Sequence, residues 1–406
     1  METMANSTMR NGHASASPPR LIYLDSSATT PVAPEVIEAM LPYFTEIFGN
    51  ASGAYALGRK ARGALEDARS RVAHVLGCRS QEIIFTSGGS ESDNLALRGV
   101  AHAMRSAGRG HHLITTAIEH EAILATCHHL VDCEGYDLSV LGVDGQGRVS
   151  LEAVEQALRS DTVLVSVMMA NNEVGSLQPI PEIAALCRRH GVLMHSDGVQ
   201  AAAWCALDVE ALGLDLLSLS AHKFYGPKGV GLLYVREGTP LECMQTGGGH
   251  EQGRRSGTEN VAGAVGLAVA LEMAQRDREA ACERAAALRD RLVAELTTIP
   301  GLHLTGHPEL RMAGHASFCI EGVPADALLL GLDMRGICAS SGSACSAGKL
   351  RPSHVLTAMG LPPELATGAL RFSLGRHSRD EDIDAVLEVL PLLIERMRRI
   401  EHAPAG

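Results

Sequence analysis

From residue 21 onward, short runs of leucine and β-branched residues alternate with stretches whose apolar positions recur at the helical period. The runs EIIFT (82–86), HLITT (112–116), TVLVSVMM (162–169), VLMHSD (192–197), LDLLSLS (214–220) and GVGLLYV (229–235) predict strands. Several are apolar on both faces, as strands of a parallel sheet covered on each side must be. Between them, Glu91–Met104, Glu121–Cys133, Leu151–Leu158 and Pro181–His190 predict helices. Strand–helix alternation of this kind predicts an α/β fold: a mostly parallel mixed sheet with helices on its faces, joined by right-handed crossovers.

After Gly257 the rhythm changes. A long Ala- and Arg-rich helical region, about Val261 to Leu296, leads to strands near ASFCIEG (316–322) and ALRFSLG (369–375) and a closing helix from Glu381 to Ile400. The pattern predicts a disordered tail at 1–20, a large domain at 21–260 whose start packs on the small one, and a smaller α/β domain at 261–406. A length of 406 residues suits two cores. No apolar run is long enough to cross a bilayer, and a net charge of −12 disfavours nucleic acid or an anionic membrane as partner. The ten cysteines are irregularly spaced, with no CxxC pair and no structural-zinc spacing, so a reducing, cytoplasmic setting and no metal are expected. The leading METMANSTMRNGHASASPPR lacks the apolar centre of a secretory signal.

Four lysines occur, and one of them, Lys223, follows a buried strand in LSLSAHKFYGPKGVG. Strand ends of open α/β sheets are where ligands bind, and lysine is the side chain that serves as an amine nucleophile. Lys228 competes, although its Gly/Pro turn suits a backbone role. A Schiff-base lysine suggests pyridoxal phosphate, which needs a phosphate site and a carboxylate for its ring nitrogen. In FTSGGSESDNLAL (85–97), Gly88, Gly89 and Ser90 lie between a strand and a helix start, as a phosphate cradle or an ordinary helix cap. Asp197 closes the strand VLMHSD, where a charge is costly without a partner; it suits a pyridinium or caps the next helix. His120, after HLITT, is positioned for stacking or proton transfer.

With these pieces together, the chain resembles the cysteine desulfurases of the class V aminotransferase family. The resemblance runs from YLDSSATTP (23–31) to RFSLGRH (371–377), through TSGGSESDNLA, EHEAIL, NNEVG, HSDGVQ, SAHKFYGPKGVG, GGGHEQGRRSGT and SGSAC. It implies a fold-type I pyridoxal-phosphate enzyme in which Lys223 carries the cofactor and His120 lies over its ring. Asp197 would meet the ring nitrogen, Gln200 the ring hydroxyl, and Gly89, Ser90, Ser220 and His222 the phosphate. Thr258 would reach the phosphate of a partner subunit, which implies a homodimer. Asn172 and Arg371 would bind the substrate, L-cysteine, with Arg371 clamping its α-carboxylate. Gly198 stands where the family usually has alanine, and GNASGAYALG (49–58) departs from its usual run.

The resemblance singles out Cys345, in the small-residue stretch SGSACSAG, as the thiol that takes sulfur from cysteine as a persulfide, leaving alanine. That stretch reads as a mobile loop able to carry sulfur onward to an acceptor protein, an iron–sulfur scaffold or another carrier. Rival readings are a selenocysteine lyase or specialised C–S lyase on the same scaffold, an ordinary aminotransferase, and an inactive sulfur-relay protein.

Overall fold

The computed structural model describes residues 20–342 and 352–401. The chain begins with β1 (Ile22–Tyr23), α1 (Pro34–Met40), α2 (Pro42–Thr45) and α3 (Ala56–Leu76), then β2 (Ile83–Thr86), α4 (Gly89–Ser106), β3 (His112–Thr116) and α5 (Glu121–Glu134). There follow β4 (Asp137–Leu141), α6 (Leu151–Ala157), β5 (Thr162–Ser166), α7 (Ile180–His190), β6 (Leu193–Asp197), α8 (Val209–Leu212), β7 (Leu216–Ser220) and β8 (Gly231–Val235). Strands β2 to β8 form one seven-stranded sheet in the order β2-β8-β7-β6-β5-β3-β4. The β3 to β7 pairs are parallel, whereas β8 runs antiparallel to both β7 and β2. Gly229, at φ +78°, lies in the turn that sends β8 back along β7.

Side-chain alternation at period two explains why these strands read as continuous apolar runs. Leu217 and Leu219 of β7 enter the core shared with α3, whereas Leu216 enters the core under α4, beside Ile84, Leu113 and Leu233. Both faces are therefore dry.

The chain continues with α9 (Val261–Arg276) and α10 (Arg278–Leu296). The periodicity reads as one helical region across 261–296, but the structure divides it at Asp277. Ala264, Leu267 and Leu271 of α9 pack in the core of the large sheet, whereas Leu288, Leu292 and Leu296 of α10 join Phe318, Leu332 and Phe372 in a separate core. Around that second core lie β9 (Leu302–Leu304), β10 (His315–Ile320), α11 (Ala325–Asp333), β11 (Ile337–Cys338), α12 (His354–Ala358), α13 (Pro363–Ala366), β12 (Ala369–Ser373) and α14 (Asp380–Glu401). Strands β9, β10 and β12 form an antiparallel sheet in the order β12-β10-β9. The N-terminus crosses to this unit: β1 pairs in parallel with β11, and Leu24 is buried in the second core.

The run TVLVSVMM stops as a strand at Ser166. Met168 N–H donates to both carboxylate oxygens of buried Glu119, at 3.0 Å each, so a side chain takes the place of the ladder on that side, while Val167 and Met169 N–H still donate to the carbonyls of His195 and Asp197. Edge strand β4, half-exposed and interrupted by Asp137 and Ser139, carries little apolar signal.

Candidate active site

The site gathers at the C-terminal ends of β6 and β7, where a parallel sheet opens toward ligands. Asp197 is the last residue of β6 and Ser220 the last of β7; Lys223 ends the single 3-10 turn after it. Lys223 Nζ donates to the carbonyls of Ser27 at 2.6 Å and Ala28 at 2.9 Å. Gln200 Nε2 donates to the same Ser27 carbonyl at 2.9 Å. The segment after β1 therefore forms one wall of the site, tied also by a 3.0 Å bond between Thr29 Oγ1 and His222 Nδ1. Burial, aided by the charges of Lys223 and Lys228, pushes the His222 imidazole down to about 4, so it stays neutral.

Asp197 is buried, and its Oδ1 accepts Val199 N–H at 2.9 Å. Burial raises its pKa, opposed by that bond and by the charges of His120 and Lys223. His120 is the N-cap of α5, and its Nδ1 accepts Ala122 N–H at 3.1 Å. With Nδ1 committed as acceptor, Nε2 is the ring nitrogen left to carry a proton.

Gly89 opens α4, an eighteen-residue helix whose N-terminus has no side-chain cap. A Cβ on Gly89 would meet Val199 Cγ2 at 2.8 Å and Ser220 Cβ at 3.6 Å. Glycine is needed there for the helix end, with Ser90 in its first turn, to approach the ends of β6 and β7. An uncapped N-terminus pressed against Ser220 has the geometry of an anion cradle. Thr258 lies in the segment between β8 and α9 and, with Ser87 and Gly257, lines a cavity of about 130 Å³. That segment is fastened to the cradle: Arg255 Nε donates to Glu91 Oε1 at 2.7 Å, and Ser87 N–H to Glu91 Oε2 at 2.7 Å.

Arg371 of β12 is 1% exposed. Its Nη1 donates to the carbonyls of Asn172 at 2.8 Å and Gly342 at 3.1 Å, and its Nη2 pairs with Asp25 Oδ1 at 2.6 Å. Its Nε has no partner among the described residues. A buried guanidinium with its Nε–H and one Nη2–H unused is a ready receptor for a carboxylate. Asn172 therefore touches Arg371 through its carbonyl. Cys345 lies outside the described residues, which resume at Pro352.

The sequence model of the class-V aminotransferases matches residues 22–386. The chain belongs to this family. It is 47% identical over 381 residues to "Cysteine desulfurase IscS" of Methanosarcina thermophila, covering 94% of each chain. It is also 47% identical over 382 residues to the protein of the same name in Clostridium botulinum strain Hall, covering 93% of this chain and 96% of that one. Among solved structures it superposes on a "NifS-like protein" with a TM-score of 0.85 at 36% identity, covering 94% of this chain and 99% of the other. A structure titled "SspA in complex with cysteine" matches with a TM-score of 0.76 at 36% identity, covering 87% and 98%.

The donor set of this class-V aminotransferase fits pyridoxal phosphate. An amine, a buried carboxylate that feels the charges of His120 and Lys223, and an uncapped helix N-terminus all lie at adjoining strand ends. Three acidic residues near it are not singled out by the sequence motifs. Asp25 is visible there only as part of YLDSSATTP, and Glu119 only as the neighbour of His120. Asp93 reads as a helix-start acid, yet it is 1% exposed, with His195 Nε2 3.8 Å from its Oδ1 and no hydrogen bond to that oxygen among the described residues. Burial first, and then the charge of Asp197, raises its pKa well above the carboxylate range. A buried His195 bridges Ser218 Oγ at 3.0 Å and Ser166 Oγ at 2.8 Å beside it, neutral because burial lowers its pKa to about 3. The signal that marks Asp93 is an acid on the apolar stripe of an amphipathic helix. Elsewhere, His111, Asp137 and Asp161 bring ligand-type atoms within 4.8 Å of one another. Arg159 Nη2 already bridges the two carboxylates at 2.7 and 2.8 Å, so a guanidinium supplies the positive charge there.

Proposed function

We propose that this protein is a pyridoxal-phosphate-dependent cysteine desulfurase, which converts L-cysteine to L-alanine and keeps the sulfur as a persulfide on Cys345. The observation that carries the reading is the setting of Arg371. Its buried guanidinium offers Nε to a carboxylate while Nη1 holds the carbonyl of Gly342, three residues before Cys345.

In this reading Lys223 would anchor the cofactor, with Asp197 for its ring nitrogen and Gln200 for its ring hydroxyl. Gly89, Ser90, Ser220 and His222 hold the phosphate, joined by Thr258 from a second subunit. When bound, pyridoxal phosphate draws electrons from the α-carbon of the amino acid, which loosens its α-proton and then its sulfur. Arg371 and Asn172 fix the substrate by its carboxylate, so that Lys223 Nζ can take the α-proton. His120, with its proton on Nε2, serves as a hydrogen-bond donor over the site. Cys345 Sγ, as thiolate, attacks the substrate sulfur; the S–S bond forms as the C–S bond breaks, and the carbon takes up a proton. L-cysteine and one thiol become L-alanine and one persulfide, with no outside oxidant or reductant. Alanine formation by Cys345→Ser tests the assignment: it is expected to fall to background, and undiminished turnover overturns it.

The acceptor of the sulfur is a protein, an iron–sulfur scaffold or another sulfur carrier. A homodimer is supported by an apolar ridge on α1, α2 and the chain beyond them: Ile37, Leu41, Phe44, Phe48 and Tyr55 are all exposed, Phe48 at 67%. A cytoplasmic setting is supported by nine described cysteines that are all free thiols. Among the described residues, no helix is long and apolar enough to cross a membrane.

A further inference from the structure

A cavity of about 440 Å³ is lined at one end by Lys223 and Gln200 and extends away from them between residues to which the chemistry above gives no role. It sits where the two cores meet. Phe224, Ala270 and Met273 supply one side from the large unit, and Gly314, Ser373 and Leu374 the other from the small unit. Its volume lies within the range of small-molecule sites. Its walls are mainly apolar, closed by Trp204, the single tryptophan of the chain.

The mouth is cationic on a protein whose net charge is −12. Arg276, Arg284 and Arg376 surround it. Arg276 is neutralised by Asp277, with contacts of 2.7 and 2.8 Å. Arg284 Nη2 donates to the Arg376 carbonyl at 3.1 Å, and the Arg376 guanidinium lies over the Tyr225 ring, 5.3 Å from its centroid. Among the described residues neither of these two arginines is in an ion pair. The neighbouring His377 reports the resulting field: burial, and then Arg376, Arg284 and Arg379, hold its pKa down, with only Glu35 opposing. Arginines fixed by a carbonyl and a ring face, without a carboxylate, are charges left over for a ligand.

We propose that this cavity is a binding site for an organic anion with a flat apolar body, an aromatic or acyl carboxylate or sulfonate. Its body would lie against Trp204, Phe224 and Met273, and its charge would face Arg284 and Arg376. Because the walls come from both units, occupancy would fasten one to the other beside the Ser26–Ser27 segment that receives Lys223.

Trp204 makes the site observable. Titrating the holoenzyme with anilinonaphthalene sulfonate is expected to quench Trp204 saturably, with transfer to the probe. Ala281→Phe, which fills the cavity from a half-exposed helix position, is expected to abolish the quenching. Arg284→Glu is expected to weaken binding about fivefold, the scale of one partly screened charge contact reversed. Uncharged phenylnaphthylamine is expected to bind more weakly than the sulfonate. Absence of Trp204 quenching in the wild type, unchanged titrations in both variants, or equal affinity for the uncharged probe would each overturn the proposal. Thermal melting and cofactor absorbance of the two variants verify that they fold.

Discussion

The pairing of Asp25 with Arg371 allows a quantitative test of how a buried cation waits for its substrate. The contact is 2.6 Å, with the Arg371 side chain 2% and the Asp25 side chain 18% exposed. Charge centres ~4 Å apart attract by about 4 kcal/mol at an effective dielectric constant near 20. Asp25→Asn retains an acceptor oxygen and removes only the charge. Discounting for the partial exposure of Asp25, the expected loss is about 2–3 kcal/mol, arising because Arg371 remains buried without a counter-ion. In a chain of this size that corresponds to a fall of about 2–5 °C in the melting temperature of the holoenzyme. The more telling measurement adds a carboxylate. L-alanine carries the anion that the variant lacks, and it meets no competing Asp25. At one subsaturating L-alanine concentration, the upward shift in melting temperature is expected to be larger for Asp25→Asn than for the wild type. An unchanged melting temperature, or an alanine shift equal to or below that of the wild type, refutes the reasoning.

Glu119 gives a pH test. Burial pushes its carboxyl up to about 8, against the opposing bonds from Thr116 and Met168 N–H. A folded pKa above the unfolded one near 4.3 means stability that is complete below pH ~4.3 and lost as the pH rises through about 8. Glu119→Gln is therefore expected to flatten the decline in melting temperature between pH 5 and 8.5; a decline of unchanged slope counts against this role. Gly89→Ala would drive a methyl to 2.8 Å from Val199 Cγ2, so the helix end must retreat from Ser220. Cofactor retention on dialysis, followed by absorbance, is expected to drop while the circular dichroism stays that of the wild type.

The strands of the large sheet are legible in the sequence because both their faces are buried, which leaves unbroken apolar runs bounded by polar turns. Lys223 and Asp197 are legible for a related reason: a charged residue that ends such a run stands out. What escapes is decided by tertiary contact. The division at Asp277 leaves no mark in an Ala-rich helical pattern, since alanine suits either core. The two-residue strands β1 and β11 are too short for any periodicity and exist because they pair with each other. Asp25 acquires its role only when β12 brings Arg371 against it, an encounter across 346 residues that no local pattern records.

That encounter bears on how the molecule is made. Ile22 pairs with Ile337, Ser373 receives the backbone of Asp25–Ser27, and the intervening strap receives Lys223 and Gln200. The segment at 22–27 is thus synthesised long before its partners, because Ser373 follows Ser27 by 346 residues. Until then the large sheet can fold by itself, but the wall behind Lys223 has nothing to fasten it. The strands of the large sheet are thus made before the partners of the wall that closes the site, so cofactor loading is expected only once β11 and β12 have been synthesised.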